Sequence, residues 1–169
     1  MWGFKKKSES SLRQQACETL VLLQAAPVFL LSYEVQRLPE NLDIYFGPPD
    51  EFFLGCETQD PGNPYTRGRL IPILDDGNFG VITFYDPDTR SLIQMDIESP
   101  GEVLEVFHSW QQYLADLMIG IAESGEDDGQ VRRIVELVQF RHANELLEFC
   151  KMSHTDFEAA RRQFISTIG

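Results

Sequence analysis

Two pairs of carboxylates are the side chains whose type and spacing best suit chemistry. Asp75 and Asp76 are adjacent, and Asp86 and Asp88 flank a proline. Paired acids can divide the work of general acid and general base. Both pairs, however, sit in turn sequences, Asp75-Asp76-Gly77-Asn78 and Asp86-Pro87-Asp88-Thr89. Aspartate is favoured in turns because its carboxylate bonds nearby backbone N–H groups. The first turn lacks the D-x-D-x-D-G spacing and the distal glutamate of a calcium loop. His108, His142 and His154 are far apart and show no H-E-x-x-H or cysteine at ligand spacing, so no metal is expected. Cys56 and Cys150 need a histidine base nearby in space to act as nucleophiles. Cys150, beside Phe149, reads as packing. The G-x-S-x-G, P-loop and G-x-G-x-x-G signatures are absent. No catalytic residue and no cofactor are assigned.

Charge carries more information. The 169 residues hold 27 acids against 14 lysines and arginines, a net of −13. The acidity is concentrated between Glu34 and Asp128, where twenty acids face four arginines for a net of −16. A direct nucleic-acid partner is not expected, since binding phosphates needs a basic footprint. A concentrated negative field steers cationic partners; it also simply keeps a protein in solution, and both readings stay open.

The elements that must position these residues follow from periodicity. Ser8 to Ser11 offer an N-cap. Leu12, Ala16, Leu20 and Leu23 then mark a helix that Pro27 should stop, and Val28 to Val35 reads as a strand. The apolar run from Thr19 to Leu31 is too short to span a bilayer and carries no cleavage pattern. Three widely spaced cysteines (Cys17, Cys56, Cys150) argue against a disulfide framework. A cytoplasmic protein with reduced thiols is the expectation. Met1-Trp2-Gly3-Phe4-Lys5-Lys6-Lys7 reads as a disordered tail, so no membrane contact is assigned.

Residues 38–64 are full of breakers and read as irregular. Leu70 to Leu74 is a first strand. Gly80 to Tyr85 is a second, with Val81, Thr83 and Tyr85 on one face and Ile82 and Phe84 on the other. Ser91 to Ile97 returns after a type I turn. Ser109 and Gln112 form a capping box ahead of a helix whose face is Trp110, Tyr113, Leu114, Leu117, Met118 and Ile121. Gly125 to Asp128 is a solvated loop. Two helices follow. One carries Val131, Ile134, Val135, Val138 and Leu146. The other starts near Ser153 or Thr155 and carries Phe157, Ala160, Phe164, Ile165 and Ile168. The predicted fold is α+β, an antiparallel meander with helices packed against it and further C-terminal helices. Residues 1–128 form the main domain, and residues 129–169 a helical extension packed on it.

Three pieces, in order, carry a family resemblance over residues 38–117: Leu38-Pro39-Glu40; Leu70-Ile71-Pro72-Ile73-Leu74-Asp75-Asp76-Gly77-Asn78-Phe79-Gly80; and Phe107-His108-Ser109-Trp110-Gln111-Gln112-Tyr113-Leu114. Together they resemble the SUKH superfamily, which includes the yeast cell-wall-assembly regulator and bacterial immunity proteins. The resemblance implies an α+β domain with a non-enzymatic role. Bacterial members bind and neutralise toxins, often nucleases, which are basic because their substrate is a polyanion. An acidic inhibitor offers carboxylates where phosphates would sit. The expected partner is therefore a basic toxin domain. The expected contacts are Asp50, Glu51, Asp75, Asp76, Asp86, Asp88, Glu98 and Glu102, joined by the aromatic residues Phe79 and Tyr85. A regulatory scaffold acting through the terminal helices is the alternative, and an enzyme built on a cleft of buried carboxylates is the third.

Overall fold

The computed structural model describes residues 9–55 and 58–169. The N-terminal tail with its lysines, the Ser8 capping position and Cys56 lie outside the described residues. Helix α1 (Glu9–Leu22) buries Leu12, Ala16, Thr19 and Leu20 along one stripe. It ends before Pro27, where Gln24 takes a left-handed conformation.

Pro27 then opens a helix. Residues Pro27–Leu31 form α2, with the proline in the first turn, and no strand runs from Val28 to Val35. Proline lacks an N–H, which a first helical turn does not use, and its fixed φ suits that position. The apolar run that resembled a strand is helical because Val28 and Phe29 must both reach the core. The Phe29 ring stacks on Phe46 at 4.4 Å and meets Trp110 edge-on at 5.0 Å. A 3₁₀ segment (Pro39–Ile44) and helix α3 (Asp50–Gly55) occupy the stretch read as irregular.

The sheet is an antiparallel meander in the order β1 (Ile71–Asp75), β2 (Val81–Asp86), β3 (Ser91–Asp96), β4 (Val103–Phe107). This is the α+β arrangement the pattern predicted. Residues 103–107, which follow the last strand expected from the pattern, form β4 and complete the sheet. The alternation expected in β2 separates two cores. Tyr85, with Leu92 and Phe107, faces the main core under helix α4 (Trp110–Glu123). Ile82 and Phe84, with Met95, Phe52 and Leu70, form a smaller core on the other face.

Ser109 caps α4 by accepting from the Gln112 N–H at 3.1 Å. The Gln112 side chain accepts from the His108 N–H at 2.8 Å, one residue earlier than a standard capping box. Beyond α4 the chain makes three helices rather than two: α5 (Asp128–Val138), α6 (Ala143–Lys151) and α7 (Phe157–Thr167). Gln139 in the left-handed region ends α5, so Leu146 lies on α6. Asp156, not Ser153 or Thr155, caps α7, accepting from the Ala159 N–H. Val131, Ile134, Leu146, Ile165 and Ile168 belong to the same apolar cluster as α1 and α4. The segment 129–169 thus completes the core of residues 9–128 instead of standing apart from it.

Candidate functional site

The turn after β1 brings the first carboxylate pair to the mouth of a cleft. Asp75 accepts from the Gly77 N–H at 2.8 Å, and Asp76 from the Asn78 and Gly80 N–H groups at 3.1 and 3.0 Å. These are the local turn bonds that aspartate supplies. Gly77 has φ +77°, and a Cβ there would lie 2.6 Å from the Ile44 carbonyl, so only glycine fits this approach. The turn is also tied to the 3₁₀ segment's exit, because Asp75 N–H donates to the Gly47 carbonyl at 2.9 Å.

The cleft beside this turn has a volume of about 450 Å³. Thr83 and Gln94, cross-strand neighbours, line it from the sheet. From α4 come Tyr113, Asp116, Leu117, Gly120 and Glu123, whose spacing places them along one helical face. From α7 come Glu158 and Arg161. Five carboxylates (Asp75, Asp76, Asp116, Glu123, Glu158) therefore line the cleft together with one guanidinium. Arg161 bonds Asp116, reaches Glu158 at 3.2 Å and lies 3.9 Å from Glu105.

Burial sets the electrostatics. It pushes the Asp75 carboxyl up to about 6 against the opposing Gly77 N–H bond, with Asp76, Asp50 and Glu51 adding repulsion. It also pushes Asp116 up to about 6, although Arg161 opposes it, with Glu105 and Glu158 adding to the rise. The Tyr113 phenol is raised as well, chiefly by burial. Its side-chain hydrogen bond is to Thr83. Two acids that resist ionisation therefore share one cleft. Asp75 also lines a second cavity of about 360 Å³ with Arg13, Tyr33, Asp43 and Asp50.

The sequence-predicted contacts divide. Asp75 and Asp76 line the cleft. Glu51, Asp88, Glu98 and Glu102 are exposed, and Asp50 is engaged by Arg13. Phe79 is half-buried against the smaller core. Two residues leave the candidate surface. Tyr85 is only 6% exposed and packs in the main core, because it lies on the α4-facing side of β2. Asp86 is 2% exposed, and its carboxylate is held by Arg69 at 2.5 Å and by the Asp88 N–H at 3.0 Å. Burial alone would raise Asp86, but those bonds and one from Thr89 outweigh it and hold it below the usual carboxylate range.

Asp116, Glu123, Glu158 and Arg161 complete the cleft and were missed. One signal was available: Asp116 interrupts the apolar face of α4 between Tyr113 and Leu117. His108 is exposed, His142 lies 3.7 Å from Glu145, and His154 stacks on Phe149. Among the described residues, no three histidine, cysteine or acidic side chains are placed to hold a metal ion. No helix among them is long and apolar enough to cross a membrane. No family model matches the chain, and neither a curated protein nor a solved structure matches it.

Proposed function

We propose that this protein is a non-catalytic binding module that sequesters a basic protein, and that the cleft between β1, α4 and α7 receives a lysine or arginine side chain of that partner. The observation that carries this reading is a cleft lined by five carboxylates and a single guanidinium, Arg161, which Asp116 and Glu158 already engage. A cation entering the cleft favours the ionised forms of Asp75 and Asp116, which burial and, secondarily, the neighbouring acids oppose. The concentration of acids between Glu34 and Asp128 supplies long-range steering. The SUKH resemblance supports the same role and makes a toxin domain of nuclease type the proposed partner. It also accords with action in the cytoplasm.

The test is a pull-down from host lysate with stepped salt, run beside a variant carrying Asp76→Asn, Glu123→Gln and Glu158→Gln. A single stoichiometric basic protein, retained by the native chain, released by salt and lost from the variant, is the expected outcome. Equal retention by both chains overturns the cleft as the binding site.

The raised carboxyls of Asp75 and Asp116 favour a second reading, an enzyme using one as a proton donor near pH 6. Its signature is a turnover that Asp116→Asn abolishes, with a pH profile set by these groups.

A further inference from the structure

We propose that the outer edge of β4 receives an extended segment of the basic partner as an added strand, with basic and apolar residues alternating along it. This rests on the binding reading above and extends its surface beyond the cleft. β4 is the last strand of the sheet, and among the described residues its backbone bonds run to β3 alone. Such an edge is a ready template for strand addition. Natural edges are blunted by lysine, proline or bulges. Val103–Phe107 contains neither lysine nor proline, and its one register shift lies toward the Val103 end.

The register says what an added strand must carry. On the α4 side, Thr83, Gln94 and Glu105 are successive cross-strand partners, so a polar row runs from the cleft to the edge and ends on the Glu105 carboxylate, which Arg161 approaches only to 3.9 Å. On the opposite side, Phe84, Ile93 and Val106 form an apolar row ending on Val106, which is 43% exposed. Val103 and Leu104 extend that exposed apolar edge. Side chains alternate along a strand, so a segment pairing with β4 sets a residue against Glu105 and its neighbour against Val106. The first should be lysine or arginine and the second a β-branched apolar residue. Exposed Glu102 directly precedes β4, exposed Glu98 lies in the β3–β4 connection, and the chain has no lysine or arginine between Arg90 and Arg132. A second copy of this chain would bring the same acids to the same edge, which opposes self-pairing.

The probe is a capped peptide of alternating lysine and valine, titrated into the full chain and followed by amide chemical shifts and hydrogen exchange. Controls are an alternating glutamate–valine peptide and one with the lysines and valines in separate blocks. The alternating lysine peptide should protect amides within 103–107, and the controls should not. Val106→Lys, at an exposed position, should weaken it about tenfold with an unchanged thermal melt. Shifts confined to cleft amides overturn this inference and leave the cleft reading standing. Protection at 103–107 that persists in the Asp76→Asn, Glu123→Gln, Glu158→Gln variant supports the edge as a contact independent of the cleft. Protection in the free protein that grows with concentration assigns the edge to a second copy and overturns the proposal, as does an absence of change at 103–107 with the alternating lysine peptide.

Discussion

Asp75 and Asp116 face one cleft from different elements, the end of β1 and the middle of α4, and burial holds both carboxyls at about 6. They lie 41 positions apart in the chain. The folded state thus carries two acids that ionise less readily than in an unfolded chain, where aspartate titrates at about 4. Between those values the folded state binds more protons than the unfolded one. Their contribution to stability is full below about 4 and is lost as pH rises through 6.

Asp75→Asn should therefore stabilise the protein at pH 7.5, by about 1 kcal/mol after discounting for partial exposure. The gain should vanish near pH 4, where the native carboxyl is already neutral. Urea unfolding at the two pH values checks this; a pH-independent difference would remove the burial account.

Arg69 and Asp86 behave oppositely. Arg69→Met leaves a buried carboxylate without its cation and should destabilise by about 2 kcal/mol at pH 7, less than a fully buried pair because Arg69 is 41% exposed. Asp86 is held below the ordinary range, so the pair's stabilisation is present above about 4 and fades as pH falls toward the folded value. Unfolding curves of variant and native chain should converge in acid.

Two glycines beside the cleft should respond with opposite sign. Gly77→Ala forces a Cβ to 2.6 Å from the Ile44 carbonyl at a positive φ and should cost about 3 kcal/mol. Gly120 lies within α4 and lines the cleft, and a Cβ there meets nothing within 4 Å. Gly120→Ala should gain roughly 0.5–1 kcal/mol while narrowing the cleft. Thermal melts of the two variants decide both.

Ending the chain before Phe157 should abolish cooperative unfolding. It removes buried Ile165 and Ile168 from the main core and takes Arg161 from Asp116. Two buried isoleucines alone are worth more than about 4 kcal/mol. Near-ultraviolet circular dichroism and a urea titration measure the loss. A sharp transition like that of the full chain would show the terminal helices to be a separate unit, as the scaffold reading requires.

What could be read without the structure was local. The face of α4, the Ser109 cap and the two aspartate turns depend on residues within a few positions of each other, so their signals survive in one dimension. The β2–β3 hairpin was legible for the same reason. Charge totals, likewise legible in the sequence, count against a phosphate-binding footprint, because counterion release depends on net sign and clustering.

Other features depend on contacts distant in sequence. Pro27 reads equally as a stop or a start, and only the packing of Phe29 on Phe46 and Trp110 makes it a start. β4 is short and only its neighbour β3 completes it. Tyr85 and Asp86 are adjacent to good surface residues in the sequence, but burial is a property of both sheet faces together. Sequence by itself determined an acidic α+β chain with aspartate-bearing turns. Tertiary structure decided which acids meet, because Asp75, Asp116 and Glu158 converge only when β1, α4 and α7 pack, and a carboxyl's burial and charge are set by what packs around it.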